Sequence, residues 1–306
     1  MNPNIVVIGS LNMDIVINVE EMPHEGQTIL GTGFSEIAGG KGANQAVAIG
    51  KLQASVGMIG KVGADSYASA LLDSLKESNV DARHILTSPN RTGVALVTVN
   101  QSGKNHIVVV PGANFDLTPD DIRNQRHVIE QCEMVVLQLE VPMETVNCAL
   151  QLAKEAGKTT ILNPAPAKIM EEEMLKNVDI LIPNEHELSE ISGMEIADER
   201  SFQEAARSLL AKGVKAVLVT LGDKGCCYVD KDRFQLYPAH QVKAKDTTAA
   251  GDSFIGGFTA SYVKNRDIDM AVKQAQIVAA ITVTRPGAQS SLPTLEEVQR
   301  FAVDNA

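Results

Sequence analysis

This chain has no excess of basic charge, no paired-cysteine motif and no long apolar run, and each absence removes a class of function. Lysine and arginine number 27 against 38 aspartates and glutamates, a formal net charge of −11. A nucleic-acid-binding surface needs a basic patch, and this balance argues against one. An anionic ligand is not excluded, because backbone amides, a few lysines and a bound divalent cation build a locally positive site. The four cysteines, Cys132, Cys148, Cys226 and Cys227, form no CxxC pair, so zinc is not expected. Cys226 and Cys227 are adjacent, poor geometry for a bridge, and free thiols in a reducing cytoplasm are the expectation. No run approaches ~18 uninterrupted apolar residues, so no membrane span is expected. Met1 to Gly9 has no basic region leading an apolar stretch, so no signal peptide is expected either.

What is present is a chain of 306 residues, 44% of them hydrophobic, enough for one large domain spanning 1–306. Ile5–Ile8 reads as a buried parallel strand ending at Gly9, and Met13–Val19 alternates as a half-exposed one. Gly39 to Asn44 opens a helix. Further strands are expected at Val56–Ile59, Met134–Leu139, Thr159–Leu162, Ile180–Ile182 and Ala216–Thr220. Helices are expected at Ala68–Lys76, Glu144–Ala156, Glu187–Ile191, Ser201–Lys212 and Ser253–Val263, with a last one opened by the capping box at Thr294–Glu297. This alternation predicts a mostly parallel α/β sheet with right-handed crossovers and helices on both faces. Two segments break the rhythm: 13–37, and the hairpin pattern at 92–110 around Gln101–Lys104. They predict a small antiparallel sheet projecting from the main body, whose exposed edges need a partner or a ligand to cover them.

The strongest chemical signal is Asp246–Phe254. A polar turn runs into Ala249, Ala250 and Gly251, which open a helix. The unpaired amides of a helix start favour an anion, and small residues let a phosphate approach. Asp252 in that first turn is placed to accept a proton from an attacking hydroxyl. The plain alternative is an acidic residue favoured at a helix start. Gly39 to Asn44 is not a Walker A loop, since Lys41 is followed by glycine, and no GxGxxG follows the first strand, which disfavours P-loop kinases and dinucleotide oxidoreductases.

Asp246–Phe254 and Gly39–Asn44 together resemble the two signatures of the phosphofructokinase-B type (ribokinase-like) sugar kinases, in the order that family has them. The resemblance covers essentially the whole chain. It implies a three-layer α/β sandwich with a small β lid, paired with a second lid in a homodimer. It implies transfer of phosphate from Mg-ATP to a sugar hydroxyl, with Asp252 as general base and the amides of Ala249, Ala250, Gly251 and Asp252 as anion hole. Asn12, Met13, Asp14, Gly40, Lys41, Gly42, Ala43, Asn44 and Glu140 match the sugar-binding positions, and the pattern favours free D-ribose. Asn184, Thr220, Leu221, Gly222, Asp223, Lys224, Gly225, Gly251 and Gln276 match nucleotide-binding positions. Gln276 departs from the histidine expected there. Glu187, within the Asn-x-x-Glu pattern begun by Asn184, matches the group that organises Mg²⁺. Asp246, Thr248, Thr282, Arg285, Gly287 and Ser291 match a K⁺ site, and Thr284–Gln289 is a turn with Pro-Gly punctuation. A kinase of the same fold for 2-deoxyribose, fructose or a nucleoside, or a sugar sensor that has lost catalysis, remains open at this level.

Overall fold

A computed structural model describes residues 2–305. Its main sheet has nine strands in the order β13-β12-β11-β10-β9-β8-β1-β4-β5. These are β1 (Ile5–Ile8), β4 (Val56–Val62), β5 (Val80–Thr87), β8 (Met134–Leu137), β9 (Thr159–Leu162), β10 (Ile180–Leu181), β11 (Ala216–Thr220), β12 (Cys226–Asp230) and β13 (Phe234–Tyr237). From β5 to β11 all pairings are parallel, and β12 and β13 add an antiparallel edge.

The apolar runs are explained by burial on both sheet faces. Ile5 and Val7 of β1 join one core, and Val6 and Ile8 the other. The first core lies under α1 (Lys41–Lys51), α2 (Ser66–Glu77), α9 (Ala250–Asn265), α10 (Ile268–Val283) and α11 (Leu295–Asp304). The second lies under α3 (Pro119–Asn124), α4 (Arg126–Gln131), α5 (Met143–Glu155), α6 (Glu172–Leu175), α7 (Glu185–Ser192) and α8 (Glu199–Ala211). Three layers result. The same alternation sends Cys226 into one core and its neighbour Cys227 into the other, so neighbouring thiols face apart.

A second sheet of four strands has the order β3-β2-β6-β7, from β2 (Asn12–Val19), β3 (Gly31–Gly39), β6 (Gly93–Asn100) and β7 (Asn105–Val110). The sequence pattern suggests an antiparallel sheet here, and two of its three pairings are; β2 and β6, however, run parallel. The reason is connectivity: α1, β4, α2 and β5 intervene, and such a crossover brings the chain back in the same direction. Among the described residues, no helix is long and apolar enough to cross a membrane.

Candidate functional site

The loops that follow β1, β8, β10 and β11 gather at the carboxyl ends of the parallel strands, where open α/β sheets hold ligands. Beyond β1, Asn12 is buried and its Oδ1 accepts a 2.8 Å hydrogen bond from Asn114 Nδ2. Two residues on, the Asp14 carboxylate lies against Gly39, where a Cβ would come within 2.2 Å of Asp14 Oδ2. Gly40 then turns the chain with φ 89°, and α1 begins at Lys41. Glu140 anchors this corner: its Oε2 accepts from Ser10 Oγ at 2.5 Å and from the Lys41 backbone N–H at 3.0 Å. Gly42 packs on the Gly9–Ser10 backbone so closely that a Cβ would lie 2.6 Å from the Ser10 nitrogen. Met13 and Ala43, in contrast, turn their side chains into the first core, which leaves them only backbone to offer a ligand.

Opposite this corner, Ala249 adopts a left-handed φ of 58°, and α9 starts at Ala250. Gly256 lets α9 approach α1, since a Cβ there would lie 2.4 Å from Ala48 Cβ. The approach brings Asp252 against α1: its Oδ2 accepts from Asn44 Nδ2 and its Oδ1 from Gln45 Nε2, both at 3.0 Å. Of the four expected anion-hole amides, that of Ala250 donates to Thr247 O at 3.2 Å. Those of Gly251 and Asp252 fall in the first turn, where a helix leaves its N–H groups unpaired.

Charge is concentrated between these walls. Burial, then Glu140 and Asp252, push the Asp14 carboxyl up to about 7, with Lys41 pulling the other way. Burial alone would lower the Lys41 ammonium, but Asp252, Glu140, Glu187 and Asp14 outweigh it and hold its pKa above the usual value. Burial raises Glu187, against the pull of the Asn184 N–H and Lys41. A single lysine thus sits among four carboxylates, a site that welcomes a polyanion only with added positive charge.

A pocket of about 210 Å³ joins Lys41, Asn184, Glu187 and the turn from Ala249 to Asp252. Asn184 caps α7 in a reciprocal pair with Glu187, which occupies Glu187 Oε2 at 2.9 Å from the Asn184 N–H. A neighbouring pocket of about 290 Å³ is lined by Thr220, Gly222, Asp223, Gly225, Phe254, Gln276 and the segment around His240. Thr220, Thr247, Ala250 and Gly251 belong to both pockets, so the two communicate at the start of α9. Gly225, at φ 106°, admits Tyr237 O so closely that a Cβ would lie 1.9 Å from it. Leu221 packs on the second core, and Lys224 points away towards Glu185 at 3.8 Å; neither lines the pocket. Gln276 spends its amide on Tyr237 O and Pro238 O, fixing the pocket wall.

Next to α9, Asp246 Oδ1 accepts from Thr248 N–H at 2.9 Å and Oδ2 from Gly287 N–H at 2.8 Å. Burial would raise its pKa, but these hydrogen bonds hold it below the usual carboxylate value. The hydroxyls of Thr282 and Ser291 donate to Val278 O and Ala288 O, and Arg285 pairs with Glu297 at 2.7 Å. Among the described residues, no three His, Cys, Asp or Glu side chains gather in a metal-binding group. Of the residues expected at the K⁺ site, Asp246 is the one carboxylate, and its two oxygens already accept backbone N–H groups.

A larger hollow, about 640 Å³, lies at the opposite, amino-terminal edge of the sheet, beside Thr159, Asp179 and Lys215. Its salt-bridged lysines satisfy Asp179, at 3.2 Å from Lys154 and 2.6 Å from Lys215. The chemistry converges on the two smaller pockets. Sequence reasoning missed five residues, of which Asn163 lines the smaller pocket and Ser10, Gln45, Asn114 and Gln138 brace the side chains around it. Gln45 follows the Gly39–Asn44 motif directly and Gln138 precedes Glu140 by two, so proximity to a motif was the available signal.

Residues 2–295 match the family described as pfkB family carbohydrate kinase. A ribokinase of Staphylococcus aureus is 40% identical over 303 residues, covering 98% of this chain and 100% of the relative. A deoxyribokinase of Salmonella typhi is 39% identical over 300 residues, covering 97% and 98%. The ribokinase of Arabidopsis thaliana, solved in complex with ribose and ATP, superposes with a TM-score of 0.92 at 30% identity, covering 98% of this chain and 99% of that one.

Proposed function

The chain belongs to the pfkB family of carbohydrate kinases, and from that premise we propose that it transfers the γ-phosphoryl group of ATP to the 5-hydroxyl of D-ribose, giving ribose 5-phosphate and ADP. The observation that carries the reading is Asp252, held in the first turn of α9 with both oxygens oriented, lining the smaller pocket next to Gly251, which both pockets share. ATP fills the larger of the two pockets with its phosphates towards Gly251. The sugar sits between Asn12, Asp14, Gly40, Lys41, Asn44 and Glu140. Asp252 takes the proton of the 5-hydroxyl as its oxygen attacks the γ-phosphorus and the bond to ADP breaks. The amides of Gly251 and Asp252 and the Lys41 ammonium stabilise the charge on the transferring oxygens.

Mg²⁺ would be held through Glu187, whose Oε2 is already engaged by the Asn184 N–H, which suits contact through water. When bound, it neutralises phosphate charge. K⁺ would sit at Asp246, Thr248, Thr282, Arg285, Gly287 and Ser291, and the hydrogen bonds of Asp246 tie that region to the turn before Ala249. The four-stranded sheet acts as a lid over the sugar. Its apolar Ile107 and Val109, 56% and 47% exposed, share the side that carries Asp14, through the register Asp14–Ala95–Val109. A second copy of the chain covers that side in a homodimer.

The test is ADP release with ATP, Mg²⁺ and K⁺, comparing D-ribose, 2-deoxyribose, fructose, adenosine and no sugar. D-ribose is expected to give the largest kcat/KM. A larger value for 2-deoxyribose is the second reading, which the 39% identity to a deoxyribokinase supports. No stimulation by any acceptor would turn the assignment to a sugar sensor.

A further inference from the structure

Asp252 is gripped by a chain of neutral amides that begins deep in the sheet. Gln138, just past the end of β8, donates from Nε2 to Gln45 Oε1 at 2.6 Å. Gln45 Nε2 in turn donates to Asp252 Oδ1 at 3.0 Å and to Asn163 Oδ1 at 3.3 Å. Asn163 is fixed by its own donation to Ile182 O at 3.0 Å. Gln45 and Gln138 are both 0% exposed. Burying two amides is costly unless they are paired, and leucine or methionine would fill the same space at no such cost. Even so, Gln138 Oε1 is left without a partner. It lies against Gly9, where a Cβ would come within 2.0 Å of it. The strand-to-loop junction therefore gives up a side chain at Gly9 to seat an amide that is only half satisfied. A packing role does not account for that arrangement.

We propose that Gln45 and Gln138 are positioning residues for phosphoryl transfer: together they lock the rotamer of the Asp252 carboxylate so that its free lone pairs face the acceptor hydroxyl. The proposal rests on Asp252 being the base. Consecutive residues on a helix project about 100° apart, so Asn44 and Gln45 reach the carboxylate from two directions and each takes a different oxygen. A carboxylate offers about four acceptor sites, and two remain for the substrate. Neutral amides cannot titrate, so the grip is the same at every working pH. The charged groups facing Asp252 from other elements are Lys41 from α1, Asp14 from β2 and Glu187 from α7. None of them belongs to the amide chain.

The experiment compares Gln45→Met, Gln138→Met, the double variant, Gln45→Glu and Asp252→Asn in the full-length enzyme, with folding monitored by thermal unfolding. Gln45→Met is expected to lower kcat by ~10–100-fold, the scale of a misplaced reacting group, with KM for sugar and ATP nearly unchanged. Gln138→Met is expected to lower kcat in the same direction, and the double variant to add little, because the two act as one chain. Gln45→Glu sets a carboxylate beside Asp252 and is expected to move the acid limb of the kcat–pH profile upward by about one unit or more. That near-isosteric variant carries the test if the methionine variants do not fold. Parent-like kcat in Gln45→Met, or an unmoved acid limb in Gln45→Glu, overturns the proposal, provided Asp252→Asn is inactive. An active Asp252→Asn would instead overturn the reading of Asp252 as base, and with it the premise.

Discussion

Asn44 and Asp252, 208 positions apart in the chain, meet through a 3.0 Å hydrogen bond from the Asn44 amide to Asp252 Oδ2. The bond joins the first motif of the sequence to the second. It also ties α1 to α9, the helix that carries the proposed base. The Oδ1 of Asn44 is buried and has no hydrogen-bond partner within the protein.

Replacing Asp252 by asparagine removes the proton acceptor and keeps the shape. General-base assistance is worth ~10²–10⁴-fold, so kcat is expected to fall by at least that range with little change in KM. Steady-state kinetics on the purified variant measure it; near-parental kcat would remove Asp252 from the role.

Asp14 gives a pH signature. Its carboxyl stands at about 7, raised first by burial. Sugar hydroxyls donate to the ionised form, so KM for the sugar is expected to fall as pH rises through about 7. The sign for stability is opposite. A carboxyl whose folded pKa exceeds its unfolded value supports the fold at low pH and loses that support as pH climbs through the folded pKa. Asp14→Asn is therefore expected to weaken sugar affinity by ~10-fold or more. It is also expected to raise Tm at pH 8 by a few degrees, with the gain vanishing near pH 4. Sugar KM across pH and melts at pH 4 and pH 8 check both halves.

Gly251 offers a test of the phosphate path. A Cβ there meets nothing within 4 Å, so a larger side chain fits the protein and projects into open space shared by the two pockets. Gly251→Val is expected to fold normally and to raise KM for ATP by ~10-fold or more, since an intruding side chain denies phosphate its close approach. Unchanged KM would move the phosphates elsewhere.

The cation reading is checked at Asp246. Parent activity is expected to rise when K⁺ replaces tetramethylammonium, and Asp246→Ala is expected to abolish the rise while leaving residual turnover. Equal rates in both salts for the parent would discard the site.

The lid edge is checked by charge. Ile107→Asp and Val109→Asp place carboxylates on the exposed apolar side of β7. Sedimentation is expected to change from dimer to monomer and sugar KM to rise, because a carboxylate resists burial without a partner. A dimer that persists with parental KM would place the subunit contact elsewhere.

The sequence was most legible where one element declares itself locally. β1 was readable as Ile5–Ile8 because burial on both faces demands an unbroken apolar run. The start of α9 was readable because small residues and an acidic first turn mark a helix opening. α10 escaped, although it is a long helix. It packs along α9 and is apolar on most sides, so it lacks the contrast that periodicity needs. β3 gave little pattern because its exposed strand is broken by glycines and settles by pairing with β2. Within the site, contiguous motifs could be seen, and Gln45 and Gln138 lie close to them, whereas Asn114 and Asn163 are single polar residues beside apolar stretches. What they do depends on partners far along the chain, and no local pattern encodes that.

The position of β1 between β4 and β8 has a consequence for biosynthesis. β1 is a central strand, and it leaves the ribosome before either neighbour exists: β4 pairs it through Val56–Ile59 and β8 through Met134–Leu137. At ~5–20 residues per second, the nascent strand waits on the order of ten seconds for its second flank. Ile5, Val6, Val7 and Ile8 are meanwhile without their native cover, a window in which a chaperone has something to hold. Asp252 emerges later still, after β13 and before α10 and α11, whose side chains complete the first core.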